Sequence, residues 1–300
     1  MELKKESIQV LRKKSHARSQ ITFDEDFNVP DAKPDVGRLI QHKGRIIMED
    51  VRLTDGKGIL TGNLEADVLY VGEESGIVSS LTVKLPFEET LNLKNITNGD
   101  KMCLKWEIED LAIRLIHSRK LNIKALVTFC AAVDETTQIR IPVALDTPDV
   151  SARKKQIRFL GLGVHKKDTL RIKDEYTIAS NRPDISELIW YTMDIRGLEL
   201  KSGENTVKAR GELSVFVLYE SEDTEAPVQW LEYSMPFSGE VECTGCTEEL
   251  IPDITVSVMH QRLEAKPDAD GEERKFVTDI VQAMEMKLLR EEEYEMMKDI

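Results

Sequence analysis

Pro34-Asp35-Val36-Gly37-Arg38-Leu39-Ile40 occurs a second time as Pro183-Asp184-Ile185-Ser186-Glu187-Leu188-Ile189, an offset of 149 residues (34 to 183). At the same offset His16 falls on His165, Ile21 on Leu170 and Phe27 on Tyr176. Ile46 falls on Ile195, and Val68-Leu69-Tyr70 on Val217-Leu218-Tyr219. One inserted residue then brings Pro86-Phe87 onto Pro236-Phe237. An offset held over so long a span identifies a tandem duplication, and repetition at a fixed period makes each copy one folding unit. Two copies rarely both need a catalytic centre, so a duplicated unit points first to binding and assembly surfaces.

The composition agrees. Of 300 residues, 41% are hydrophobic and 32% charged, which is ordinary for a globular chain of about two domains. Each copy is long enough to bury a core without staples. A formal charge of −14 argues against nucleic acid, whose phosphates repel an acidic surface, despite the basic cluster Lys4, Lys5, Arg12, Lys13, Lys14 and Arg18. Aromatics are only 6%, too few for a platform of stacked rings. Met1 to Ile8 is polar and no apolar run approaches the roughly 20 residues that span a bilayer, so a cytoplasmic start without membrane insertion is expected. Four cysteines in so long a chain do not make a disulfide framework, and Cys103 and Cys130 read as small hydrophobes.

The local patterning is that of a mainly β protein. Residues 1–15 form a basic, polar lead. Ile21, Phe23, Phe27 and Val29 then alternate, as in a half-buried strand, and Leu170, Ile172, Tyr176 and Ile178 repeat the pattern. Leu64, Ala66, Val68 and Tyr70 share a face, as do Leu213, Val215, Val217 and Tyr219. Thr54-Asp55-Gly56 and Ser202-Gly203-Glu204-Asn205 carry hairpin chemistry. A bulge is expected between Met48 and Val51, and Gly62 and Gly211 mark a bulge or a close approach of backbone. Pro86 and Pro236 belong to sheet edges, where a missing amide hydrogen does no harm.

Two segments read less simply. Val36, Leu39 and Ile40 lie at i, i+3 and i+4, as do Ile185, Leu188 and Ile189. Asp35 and Asp184 can cap, and Pro34 and Pro183 suit a first turn, so a short helix is expected after each Pro-Asp pair. Residues 276–290 contain strong helix formers, but their counterparts in copy one alternate, so a strand is expected. The expectation is two tandem β-sandwich-like or open-barrel repeats, 1–140 and 154–300, joined by a linker at 141–153. The acidic, methionine-rich tail at residues 291–300 has no cap or turn, so a further C-terminal region is expected.

Chemistry-bearing constellations are sparse. Cys243-Thr244-Gly245-Cys246 has the spacing of half a zinc site, but its counterparts Leu93 and Ile96 are apolar and no second pair lies near. Cys243 and Cys246 are thus weak metal candidates, and no metal or cofactor is expected. His16 and His165 are the only aligned histidines, and no serine or cysteine nucleophile repeats with them. No phosphate-binding glycine loop, zinc-protease helix or nucleophile elbow is present. The residues that repeat, Pro34, Asp35, Leu39 and Ile40 with Pro183, Asp184, Leu188 and Ile189, are the candidate functional motif. The chain reads as a non-enzyme.

The run Val29-Pro30-Asp31-Ala32-Lys33-Pro34-Asp35-Val36-Gly37-Arg38-Leu39-Ile40, followed by Gly44-Arg45-Ile46, Val68-Leu69-Tyr70 and Pro86-Phe87, resembles the SPOCS domain. That domain occurs in spore coat and exosporium proteins of anaerobic spore-forming bacteria. The chain is similar to the two-copy N-terminal portion of SipL-type morphogenetic proteins. The second copy is degenerate, keeping Arg182-Pro183-Asp184 but losing the Val-Pro-Asp lead. The resemblance implies a scaffold of the endospore coat or exosporium, made in the mother-cell cytoplasm and acting at the spore surface. It implies spore coat partners, among them a SpoIVA-like coat ATPase, with self-association possible in principle. It also implies a C-terminal LysM domain, which these 300 residues do not show. The alternative is a carbohydrate- or peptidoglycan-binding sandwich, for which Trp230 and Tyr233 are the nearest aromatic pair.

Overall fold

The structure is a computed structural model that describes residues 3–145, 153–223 and 225–299. These contain twelve strands and no helix. The first half holds β1 (Leu3–Asn28), β2 (Val36–Thr54), β3 (Lys57–Gly72), β4 (Val78–Asn92), β5 (Met102–His117) and β6 (Lys120–Leu145). The second holds β7 (Arg153–Thr177), β8 (Ile185–Gly203), β9 (Thr206–Ser221), β10 (Val228–Glu242), β11 (Ile251–Pro267) and β12 (Glu273–Asp299). The first half forms two antiparallel sheets, β1-β6-β5 and β2-β3-β4, and the second forms β7-β12-β11 and β8-β9-β10. The order is the same with every strand number raised by six. The duplication read in the sequence is a duplication of topology.

Each half closes its two sheets over its own core. In the first, Leu60, Leu64, Val68 and Tyr70 of β3 meet Leu121, Ile123, Val127 and Phe129 of β6, all fully buried. In the second, Val215, Val217 and Tyr219 meet Phe276, Ile280, Met284 and Leu288. The last four lie in the segment of strong helix formers. Alternate residues there face the core, and burial of that face outweighs helix propensity worth only tenths of a kcal/mol per residue. Pro86 and Pro236 sit within the edge strands β4 and β10, and Gly56 and Asn205 turn the expected hairpins at positive φ.

The short helix expected after each Pro-Asp pair does not form; β2 and β8 begin there instead. The reason lies in the register, which skips a residue at Gly37 and again at Ile40, and at Ser186 and Ile189 in the second half. Each bulge adds one residue without advancing the pairing, so inward positions fall three apart and imitate a helical period. Val36 and Ile185 are buried, Leu39 and Leu188 half-buried, and Ile40 is 46% exposed. Bulges also account for Gly62, where a Cβ would stand 2.3 Å from the carbonyl oxygen of Ile47, next to the skip between Met48 and Asp50.

The long outer strands extend beyond the sandwiches. Leu3–Lys13 pairs with Asp134–Leu145, and Arg153–Leu162 with Leu289–Asp299, making two two-stranded arms. The basic lead of the sequence is therefore a strand from Leu3 onwards. Residues 141–145 of the expected linker continue β6, and residues 146–152 lie outside the described residues.

Candidate functional site

The repeated Pro-Asp motif is a corner held by an arginine. In the first half, Arg119 at the β5–β6 turn donates to the carbonyls of Val29 (2.9 Å) and Lys33 (2.8 Å) and to the carboxylates of Asp31 (3.1 Å) and Asp35 (3.0 Å). Ser118 adds a bond to Asp35 (3.1 Å), and Tyr70 donates its hydroxyl to the carbonyl of Pro34 (3.2 Å). In the second half Arg274 takes the same place. It donates to the Asp184 carboxylate and to the carbonyls of Ala179 (2.8 Å) and Arg182 (3.1 Å). Asp35 and Asp184 thus anchor a loop across the two sheets and cap no helix. The arginines escape the sequence comparison because the longer second-half turn shifts their offset from 149 to 155. Leu39, Ile40, Leu188 and Ile189 follow on the bulged edge strands and take no part in this network.

Cys243 and Cys246 lie fully buried in the β10–β11 connection, where Leu93 and Ile96 lie in the first half. The turn is fixed by backbone bonds from Cys243 to Asn205 (2.7 Å) and from Cys246 to Cys243 (2.9 Å), with Gly245 at φ 84°. Burial pushes the Cys243 thiol up, which opposes thiolate formation. Among the described residues no three metal-ligating side chains converge. The pair plugs the core as its apolar counterparts do.

The halves meet face to face. β1 lies against β7 and β6 against β12, Lys43 of β2 bonds the Tyr191 carbonyl of β8, and β5 faces β11 across a cleft. These four pairs are counterparts, as across an approximate two-fold axis, although β4 also touches β8. A second cleft of about 540 Å³ lies on this axis. Counterpart positions line it together: Cys103 with Asp253, Cys130 with Glu285, and Ala132 with Lys287. Arg45 and Asp194, also counterparts, line a neighbouring cleft. A symmetric pair would set like charges against each other at these places. The two copies have diverged so that opposite or neutral groups meet, and Lys287 bonds Asp134 across the junction.

Among the described residues, one of the two aligned histidines has a hydrogen-bond partner. His16 is exposed on β1 at the edge of the axial cleft. His165 bonds Glu285 at 3.0 Å, and the Cys103 thiol lies beside the same carboxylate. Burial alone would raise the Glu285 carboxyl, but these contacts and the charges of Lys167 and Lys287 hold it at about 2. Burial and Glu285 both push the Cys103 thiol up, keeping it protonated.

Trp230 and Tyr233 do not form a pair. They point to opposite faces of β10: Trp230 is 60% exposed, and Tyr233 is buried against Tyr176 with ring centres 4.0 Å apart. Trp230 instead stacks on Phe216 at 6.3 Å. Among the described residues no helix is long and apolar enough to cross a membrane.

No curated protein and no solved structure matches the chain. The family described as "SipL, SPOCS domain" matches residues 35–116 and 184–266. Each match opens on the aspartate that the arginine corner holds and runs through β2–β5 or β8–β11. With the same six-strand topology in both halves, the chain belongs to the SipL SPOCS-domain family and is a sporulation-related protein.

Proposed function

We propose that this protein is a non-enzymatic scaffold in assembly of the endospore coat or exosporium, working through protein–protein contact from the mother-cell cytoplasm to the spore surface. The observation that carries the reading is the doubled sandwich, whose polar constellations are spent on holding corners and the junction between halves. The arginine corners fix loops, the cysteine turn fills a core, and burial beside Glu285 pushes the Cys103 thiol up. Coat proteins are the expected partners, and a SpoIVA-like coat ATPase is the first to test. Light scattering of the purified chain, alone and mixed with coat proteins, tests this directly. A larger species, homomeric or mixed, is expected; a strict monomer that binds no coat component overturns the reading.

A glycan-binding role is favoured by one observation, the exposed Trp230 stacked on Phe216. Binding of cortex fragments that is lost in Trp230→Ala would establish it in place of the scaffold.

A further inference from the structure

Residues of β8, β11 and β12 in the second half, with residues 45–47 of β2, line a cleft of about 470 Å³. Its wall is mostly apolar, with Ile46, Met193, Ile195, Val256, Val258 and Ile280. Gln282 also lines it. This residue is only 4% exposed, and its amide oxygen is buried without a hydrogen-bond partner among the described residues. A buried acceptor with no donor is destabilising, whereas an apolar side chain of the same shape is not. The last torsion of glutamine is broad, so its oxygen and nitrogen exchange places at little cost and either can turn towards a ligand.

The first half shows that the fold does not need this amide. Gln282 pairs with Leu170, and Val127 pairs with Ile21, the counterpart of Leu170, so Gln282 and Val127 hold equivalent positions. Val127 is apolar and fully buried. Nearby, Ile108 and Leu111 press against the backbone of Gly44, where a Cβ would stand 3.3 Å and 2.8 Å from them. The second half has Val258, Gln261 and Met193 at those places, and all three line the cleft. A close apolar contact in one copy has become an open mouth with a buried carboxamide in the other.

We propose that this cleft is a binding site for an uncharged primary carboxamide carried on a compact apolar body. Its size and its apolar wall with one convergent polar group are those of a small-ligand site. The Gln282 oxygen needs a donor, which a carboxylate lacks, and an ammonium would lose its hydration against the apolar wall. A carboxamide supplies the donor and also accepts from the glutamine nitrogen. Charge does not select the ligand: Arg45 is held by Glu65 and Asp67, and Asp194 and His260 are exposed to solvent. A free amide and the glutamine or asparagine side chain of a partner share this chemistry. The site goes beyond the scaffold reading, and the failure of either leaves the other standing.

The probes are cyclohexanecarboxamide, the isosteric cyclohexyl methyl ketone, which accepts but cannot donate, and cyclohexanecarboxylate. Each is titrated into the full chain, with the methyl signals of Met193, Ile195 and Ile280 as the readout. The carboxamide is expected to shift all three to saturation and to bind about tenfold more tightly than either control. In Gln282→Leu its affinity should fall to that of the ketone, with a melting temperature equal to or above wild type. Acetyl-Val-Gln-Val N-methylamide separates the two sources: binding tighter than the free amide assigns the site to a partner's side chain, and weaker binding assigns it to a small molecule. Shifts that never saturate, or equal binding of amide and ketone to the wild-type chain, overturn the inference. So does a Gln282→Leu chain that keeps the preference, or one that melts well below wild type, which would make the amide part of the fold.

Discussion

At the scale of single residues, two groups do more than their surroundings require. Arg274, 11% exposed at its side chain, satisfies one carboxylate and two carbonyls. Replacing it with leucine strands all three, and a cost of about 2–4 kcal/mol is expected in urea unfolding. Arg119, more exposed at 28% and facing carboxylates open to water, should cost about 1 kcal/mol in the same test. Equal costs would show that the corner is not the stabilising feature. Glu285 gives a pH signature. Its folded value of about 2 lies below the ordinary 4.5, so its stabilisation is present above 4.5 and is lost as pH falls through about 2. Unfolding free energies of wild type and Glu285→Gln should therefore differ by about 1–2 kcal/mol at neutral pH, after discounting for solvent screening, and converge by pH 2. A constant difference across that range refutes the assignment.

At the scale of elements, the bulges of β2 and β8 govern both packing and legibility. They bend the edge strands over the core and bring the Ile47 carbonyl onto Gly62, where a methyl group cannot fit without moving backbone. Gly62→Ala is expected to cost about 2 kcal/mol or more, against less than about 0.5 kcal/mol for Gly99→Ala, which opens into free space. Comparable melting temperatures for the two variants would remove the close approach from the account. These bulges are also why the Pro-Asp segments read as helices. Spacing in sequence reports inward-facing positions, and a strand bulged at every third residue offers the same spacing as a helix. Where the pairing is unbroken, as between β3 and β4, between β9 and β10, and over Lys275–Leu288 of β12 with β7, alternation was read correctly.

At the scale of the whole molecule, the halves form an internal pseudo-dimer whose counterpart positions carry unlike groups. The Lys287–Asp134 bond, with side chains 13% and 19% exposed, is the most buried ion pair across it. Lys287→Asp alone sets two carboxylates together and should loosen the junction while both cores persist. Small-angle scattering is expected to show a larger radius of gyration, returning to the wild-type value in the double variant Lys287→Asp with Asp134→Lys. Failure of the second change to restore it would show that the pair does not hold the halves together.

Taken alone, the sequence determined the duplication, the β class, the hairpin turns and the strand character of residues 276–290. These follow from a constant offset and local periodicity, which are properties of neighbours along the chain. It also singled out Pro34, Asp35, Pro183 and Asp184, but not Arg119 and Arg274, which lie more than eighty residues away behind a loop of unequal length. Only the tertiary structure decided which groups meet at the junction and that residues of β5 and β11 line one cleft. Those contacts join residues distant in sequence, and their energies depend on spatial proximity and exclusion of water, which spacing along the chain does not encode.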